Sequence, residues 1–164
     1  NIDDKFGQKS KQSKKWYKKV GVVYQNPDYQ LFMQTVEKEI KFGAKSDEYA
    51  DEIAEKFGIK HLYARHPQSL SEGQKRRVSI AAVVATNPEV LILDEPTVGQ
   101  DYKGLCEMVE VLNRIHEETH NTMITVTHDK RCAAALCDRS VWIKDGKTYK
   151  TGDKQLIDEF FTIR

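Results

Sequence analysis

The chain has 164 residues, with 26 Lys and Arg against 25 Asp and Glu and a formal net charge of +1. Its 31% charged and 39% hydrophobic residues form a globular balance that excludes disorder and collagen-like repeats, and no apolar run approaches the roughly 18–20 residues of a membrane span. A charge this close to zero gives no support for general nucleic-acid binding, and Cys106, Cys132 and Cys137, an odd number without a CxxC pair, read as reduced thiols of a cytosolic protein.

Residues 1–19 are polar and carry Lys5, Lys9, Lys11, Lys14, Lys15, Lys18 and Lys19, which reads as a solvated surface segment. Val20 to Tyr24 is a β-branched run and predicts a strand, broken by Asn26-Pro27-Asp28. From Gln34 to His61 the period is helical. Val36 and Ile40 lie four apart, as do Tyr49, Ile53 and Phe57, and Gly43 and Gly58 end the two pieces. A helix is expected over Glu72–Thr86 with Val78, Ala81, Ala82 and Ala85 on one face, closed by Asn87-Pro88. Val90 to Leu93 is apolar at every position and predicts a parallel strand covered on both faces. A helix over Tyr102 to about Glu118, a second buried strand over Met123–Thr127 and a short helix over Ala133–Cys137 follow. Val141–Ile143 and Thr148–Lys150 flank Asp145-Gly146, a hairpin turn, and the amphipathic tail carries Leu156, Ile157, Phe160 and Phe161. Strands alternating with helices imply an α/β fold with a mostly parallel sheet.

Four segments carry chemistry. Leu91-Ile92-Leu93-Asp94-Glu95-Pro96-Thr97 is an apolar strand ending in adjacent carboxylates, at the sheet edge where such folds place ligands. One carboxylate can hold hydrated Mg²⁺ while its neighbour faces an attacking water. In Leu70-Ser71-Glu72-Gly73-Gln74, Ser71 and Gln74 have capping-box spacing, and a helix start with an exposed Ser and a Gly suits an anion. In Thr125-Val126-Thr127-His128-Asp129, His128 can donate to charge developing on a terminal phosphate. Gln25 leaves a strand into the Asn26–Phe32 loop, from which its amide can reach a metal or water.

A Gln after a strand, a helical insert, LSEGQ, a strand ending in Asp-Glu, a Gly-Gln-Asp loop and a strand ending in His: this order, over about Val20–Gly152, resembles the ATP-binding-cassette ATPases. VVYQNPDYQLF, TVEKEIKFG and LDEPTVGQD look like the ATPase subunits of energy-coupling-factor importers, which bring metal ions or vitamins into prokaryotic cells. The resemblance implies a partial nucleotide-binding sheet with a helical subdomain over residues 28–86, followed by the Walker B strand, D-loop and switch histidine over 87–164 of a domain spanning 1–164. It implies that ATP and Mg²⁺ are the cofactors. Gln25 is then the Q-loop glutamine, which contacts Mg²⁺ or the lytic water. Ser71, Gly73 and Gln74 grip ATP held by the opposite subunit, and Asp94 supports Mg²⁺. Glu95 is the general base, Gly99, Gln100 and Asp101 form the D-loop at the dimer interface, and His128 is the switch histidine. The implied partners are a second ATPase subunit, identical or different, and transmembrane importer subunits, at the cytoplasmic face of a prokaryotic membrane, with no nucleic acid.

Two departures stand out. Glu72 occupies a position where the family usually has Gly. No segment fits GxxxxGK[ST], and only 24 residues precede Gln25, so the chain is expected to lack an N-terminal part with the phosphate-binding loop and the adenine-stacking aromatic, and to be inactive alone. In the family, the phosphate-loop strand lies between the strand leading to His128 and that of Val141–Ile143, so those two strands are expected to have unpaired edges. The rival readings are a soluble cassette ATPase acting on DNA or the ribosome, and a non-catalytic fragment.

Overall fold

The computed structural model describes residues 19–162; of the lysine-rich opening segment only Lys19 falls within them, paired with Glu89 at 2.5 Å. Three parallel strands form one sheet in the order β1 (Val20–Val23), β2 (Val90–Asp94), β3 (Thr122–Val126). The register sets Val22 beside Ile92 and Ile92 beside Ile124. Between β1 and β2 run α1 (Val36–Lys41), α2 (Asp47–Lys56) and α3 (Glu72–Ala85); α4 (Tyr102–Thr119) connects β2 to β3. After β3 come α5 (Lys130–Leu136), the antiparallel pair β4 (Arg139–Lys144) and β5 (Lys147–Asp153), and α6 (Lys154–Thr162).

The helix boundaries follow from local chemistry. Thr35, Ser46, Ser71, Asp101 and Asp129 each precede a helix in extended backbone and accept a first-turn N–H on the side chain, satisfying donors that have no intrahelical partner. Gly43 and Gly58 lie just past α1 and α2 with φ of 75° and 65°, the left-handed conformation that ends helices at low cost. Asp145 and Gly146 have φ of 51° and 71°, so the β4–β5 connection turns with the strand twist as expected. Trp142 on β4 then stacks edge-on against Tyr149 and Phe160, with centroids 4.9 and 5.0 Å away, and this fastens the hairpin to α6.

One core joins the sheet to the helices: Val23, Leu91 and Leu93, with Val36, Ile40, Ile53, Phe57, Val78, Ala81, Met108, Leu112 and Ile115, are almost completely buried. Two expectations need correction. β2 is not covered on both faces: Leu91 and Leu93 are buried, whereas Val90 and Ile92 are only half-buried. Among the described residues β3 is not a buried strand but a sheet edge, with Ile124 and Val126 exposed. The reason is that the helices pack on the Val23–Leu91–Leu93 face, and among the described residues no layer covers the Val22–Ile92–Ile124 face. β4 pairs only with β5 among the described residues, so β3 and β4 each have an unpaired edge there. None of the described helices is long and apolar enough to cross a membrane.

Gly21 lets β1 approach α3: a Cβ there would lie 2.5 Å from Val83 Cγ1 and 3.1 Å from Pro88 Cγ. Gly21→Ala should therefore destabilise the fold by about 1–3 kcal/mol through overpacking, read as a lower urea midpoint with an unchanged slope.

Candidate functional site

The parallel register decides the first half of the site. Asp94, the last residue of β2, sits beside Val126 of β3, so Glu95 emerges opposite Thr127 and His128. Glu95 N–H donates to Val126 O at 2.9 Å, and Glu95 has a φ of 49°, a left-handed conformation that is uncommon for a residue with a long side chain. That turn directs the carboxylate back over the end of β3. Its Oε2 accepts from the Thr127 hydroxyl at 3.0 Å, and its Oε1 accepts from His128 N–H at 3.0 Å and meets His128 Nδ1 at 2.6 Å. With a carboxylate as acceptor, Nδ1 carries the hydrogen, and Nε2 is the ring nitrogen left for another partner. The Glu95 side chain is 11% exposed and that of His128 is 69% exposed. The pair is therefore anchored at one end and open at the other. Asp94 is half-buried at the strand end.

α5 supports this corner. Thr127 Oγ1 accepts Asp129 N–H at 3.1 Å, and Asp129 caps α5 through Arg131 and Cys132 N–H. The Arg131 guanidinium holds the Asp129 carboxyl below its ordinary range. Cys132 is buried against Thr97 and Thr127, and burial pushes its thiol up to about 11.

The second half lies at the start of α3. Ser71 Oγ accepts Gln74 N–H at 3.3 Å, and Gln74 Oε1 accepts Ser71 N–H at 3.1 Å. Lys75 N–H bonds Ser71 O. Among the described residues this leaves the first-turn amides of Glu72 and Gly73 at the open end, together with the hydrogen of the Ser71 hydroxyl. Such an end, with aligned N–H groups, suits an anion. Gln100 Nε2 donates to Gly73 O at 3.2 Å, and a Cβ on Gly73 would meet that same amide. The Gly99–Asp101 loop thus lies against α3, while the Asp101 carboxylate caps α4 by accepting Gly104 N–H at 2.7 Å.

Gln25 is exposed two residues past β1. The register puts Val23 beside Leu93, so Gln25 leaves the sheet at the same end as Asp94, though no hydrogen bond joins it to Asp94 or Glu95 among the described residues. The loop behind it is fastened to α3. Arg76 Nη1 donates to Tyr24 O at 3.0 Å, Lys75 Nζ to Asp28 Oδ1 at 2.8 Å and Gln30 Nε2 to Ser79 O at 2.8 Å. Of the expected residues, Glu95 and His128 are in direct contact, and Gly73 meets the Gly99–Asp101 loop through Gln100. Thr127, Arg76 and Lys75 are additions. Thr127 stands beside His128 in a segment already singled out; Arg76 and Lys75 follow the capping box and look like ordinary helix-surface cations.

Residues 1–98 match the ABC transporter family. Over 149 residues the chain is 44% identical to the energy-coupling factor transporter ATP-binding protein EcfA2 of Enterococcus faecalis, covering 85% of this chain and 52% of that protein. It is 43% identical over 160 residues to the protein of that name from Bacillus cereus, covering 92% and 55%. The chain spans about half the length of these curated relatives. Among solved structures it resembles cbiO1 from Clostridium perfringens, part of the ABC transporter complex cbiONQ, with a TM-score of 0.76 and 33% identity over 90% of this chain and 62% of that one. It also resembles the ATP-binding cassette MJ0796, a dimer bound to ADP and Pi in a post-hydrolysis state, with a TM-score of 0.73 and 26% identity over 83% of this chain and 63% of that one.

The packing under Thr127 is testable by pH. A thiol pushed up to about 11 by burial in the folded chain, from an ordinary value of 9.0, keeps its proton longer in the native state. Stability should be unaffected below pH 8 and should fall as pH rises above 9, where the unfolded chain releases that proton. Iodoacetamide at pH 8 should accordingly label exposed Cys106 and leave Cys132 unmodified until denaturant is added, which peptide mapping reads directly.

Proposed function

The chain belongs to the ABC transporter family, and we propose on that premise that it forms the catalytic-carboxylate part of an ATP-hydrolysing subunit that powers an importer of the energy-coupling-factor type, carrying a metal ion or vitamin. The observation that carries this reading is Glu95 held at the end of β2 by Thr127 and His128, at the same sheet edge as Asp94. The names of the relatives, energy-coupling factor transporter ATP-binding proteins, support the energy-coupling-factor class. On this reading residues 28–86 act as the helical unit and 87–164 as the carboxylate-bearing unit.

The residues fit the nucleotide and its metal. Asp94 and the Gln25 amide oxygen are hard donors of the kind Mg²⁺ takes, and the open amides of Glu72 and Gly73 with the Ser71 hydroxyl are anion donors. Asp94 and Gln25 would hold the metal, which when bound neutralises charge on the phosphates. Ser71, Gly73 and Gln74 bind the γ-phosphate of a nucleotide presented by a second subunit, and Asp101 keeps the loop at that interface in place by capping α4. Glu95 takes a proton from the attacking water at a carboxylate oxygen. Thr127 and the His128 amide fix that carboxylate so that one lone pair faces the water. His128, oriented by Glu95 through Nδ1–H, donates from Nε2 to the phosphate in the form that carries hydrogen on both ring nitrogens. Hydrolysis then rests on positioning and charge stabilisation more than on covalent chemistry.

A cleft beside β1 supports the reading of a membrane partner. Its volume is about 540 Å³, and it is lined by Val20, Val22, Phe32 and Phe42 with Glu39 behind them. Phe32 and Phe42 meet edge-on at 5.3 Å and are 67% and 58% exposed. Glu39 fixes the loop that carries Phe32 by accepting Phe32 and Met33 N–H. We assign this cleft to an apolar helix of the transmembrane subunits at the cytoplasmic face of the membrane.

Two substitutions test the reading in a dimeric ATPase where this chain is joined to a segment supplying the GxxxxGK[ST] loop that its 164 residues do not spell. Glu95→Gln should keep ATP binding and lower single-turnover hydrolysis by about 10²–10⁴; near-normal turnover would place the base elsewhere. Ser71→Arg should leave ATP binding to that subunit's own loop intact and block hydrolysis in the opposite site, with a stability loss of about 0.5–2 kcal/mol from the missing cap. A mixed dimer with Ser71→Arg on one subunit and a phosphate-loop Lys substitution on the other should retain one intact site, counted as half the nucleotide trapped per dimer.

A further inference from the structure

Arg76 is the least explained side chain near the site. It is 4% exposed on α3, its Nη1 donates to Tyr24 O at 3.0 Å, and its Nε is buried with no partner among the described residues. Burial lowers its pKa, and the negative charges of Glu72, Asp94 and Glu95 oppose that, so the guanidinium lies within electrostatic reach of both carboxylates at the end of β2. The register agrees: Val23 sits beside Leu93, which puts Tyr24 at the level of Asp94.

A buried guanidinium with an unmet donor is a poor choice for stability. Burying charge costs free energy that an apolar side chain of similar volume does not incur, and replacing a buried ion by such a residue is often neutral or stabilising. An unpaired buried donor adds to that cost. Among the described residues the one hydrogen bond of the Arg76 side chain is to the backbone immediately before Gln25, from the helix that begins at Ser71.

We propose that Arg76 is a positioning residue: it ties the backbone at Tyr24–Gln25 to α3, so that the Gln25 amide and the Ser71 end of the helix keep a fixed relation and shift as one body. Lys75–Asp28 and Gln30–Ser79 extend the same tie along the loop. Gln30 Oε1 also accepts Tyr24 N–H, at 3.4 Å, so of the three ties Arg76 is the one whose α3 side chain bonds Tyr24 directly. Arg76 touches no reacting atom. Its effect on hydrolysis passes through Gln25, and that part of the inference rests on the ATPase reading.

The test compares Arg76→Met, close in volume with neither charge nor donor, and Arg76→Lys, which keeps charge and a donor, in the dimeric ATPase. Hydrogen–deuterium exchange reads the loop directly. Arg76→Met should raise exchange over residues 24–30 at least about tenfold while leaving residues 47–56 and 90–94 unchanged, at a melting temperature equal to or above that of the parent. Arg76→Lys should restore most of the protection. Hydrolysis by Arg76→Met should fall about tenfold in kcat with KM for ATP within about twofold. Unchanged exchange over 24–30 in a folded Arg76→Met protein would overturn the proposal. So would exchange raised throughout the chain with a lowered melting temperature, because Arg76 would then be a plain structural residue. If the parent protein hydrolyses no ATP, the ATPase reading falls, and the exchange experiment still decides whether Arg76 holds the loop.

Discussion

Two parallel strands in one register carry the site. Asp94 beside Val126 is a backbone fact, yet it determines that Glu95, turning off β2 in a left-handed conformation, meets Thr127 and His128 at the end of β3. A shift of one residue in that pairing would send every side chain to the opposite face, exposing Leu91 and Leu93 and separating Glu95 from His128. The core that buries Leu91 and Leu93 therefore also sets the distance between the two polar residues. Stability and site geometry come from the same packing.

α3 is the second organiser. Its buried face joins the sheet and the helices α1 and α2 into one core, its N-terminus presents Ser71 and Gly73, and its second turn holds the Gln25 loop through Lys75, Arg76 and Ser79. One rigid rod thus connects an anion-suited helix end, a strand-end loop and the cleft beside Phe32 and Phe42.

Polar groups inside this framework differ in what they do for it. Glu39, buried among apolar residues, accepts two backbone N–H groups and so orders the turn that carries Phe32. Thr127 has both roles of a hydroxyl in use, donating to Glu95 and accepting from Asp129. Arg76, with one donor unmet, is the exception among the described residues. Most buried polar groups are satisfied, and this one lies within electrostatic reach of Asp94 and Glu95.

Much of this was legible in the residues themselves. The Ser71–Gln74 spacing predicts a capping box, Asp145-Gly146 a tight hairpin and the order of motifs the α/β fold of the family, because each depends on neighbours a few positions apart. The strand Val90–Leu93 shows where that kind of evidence ends. Its unbroken apolar run predicts cover on both faces, whereas the packing covers one, since burial depends on which layers lie against the sheet. Thr127 and Arg76 show the same limit. Their partners Glu95 and Tyr24 lie 32 and 52 residues away, and no periodicity reports a bond across that distance. The sequence by itself determined which elements form and which residue types stand at their ends. Only the tertiary structure decided which ends meet, because strand register and the face a helix buries are set by the whole core packing at once.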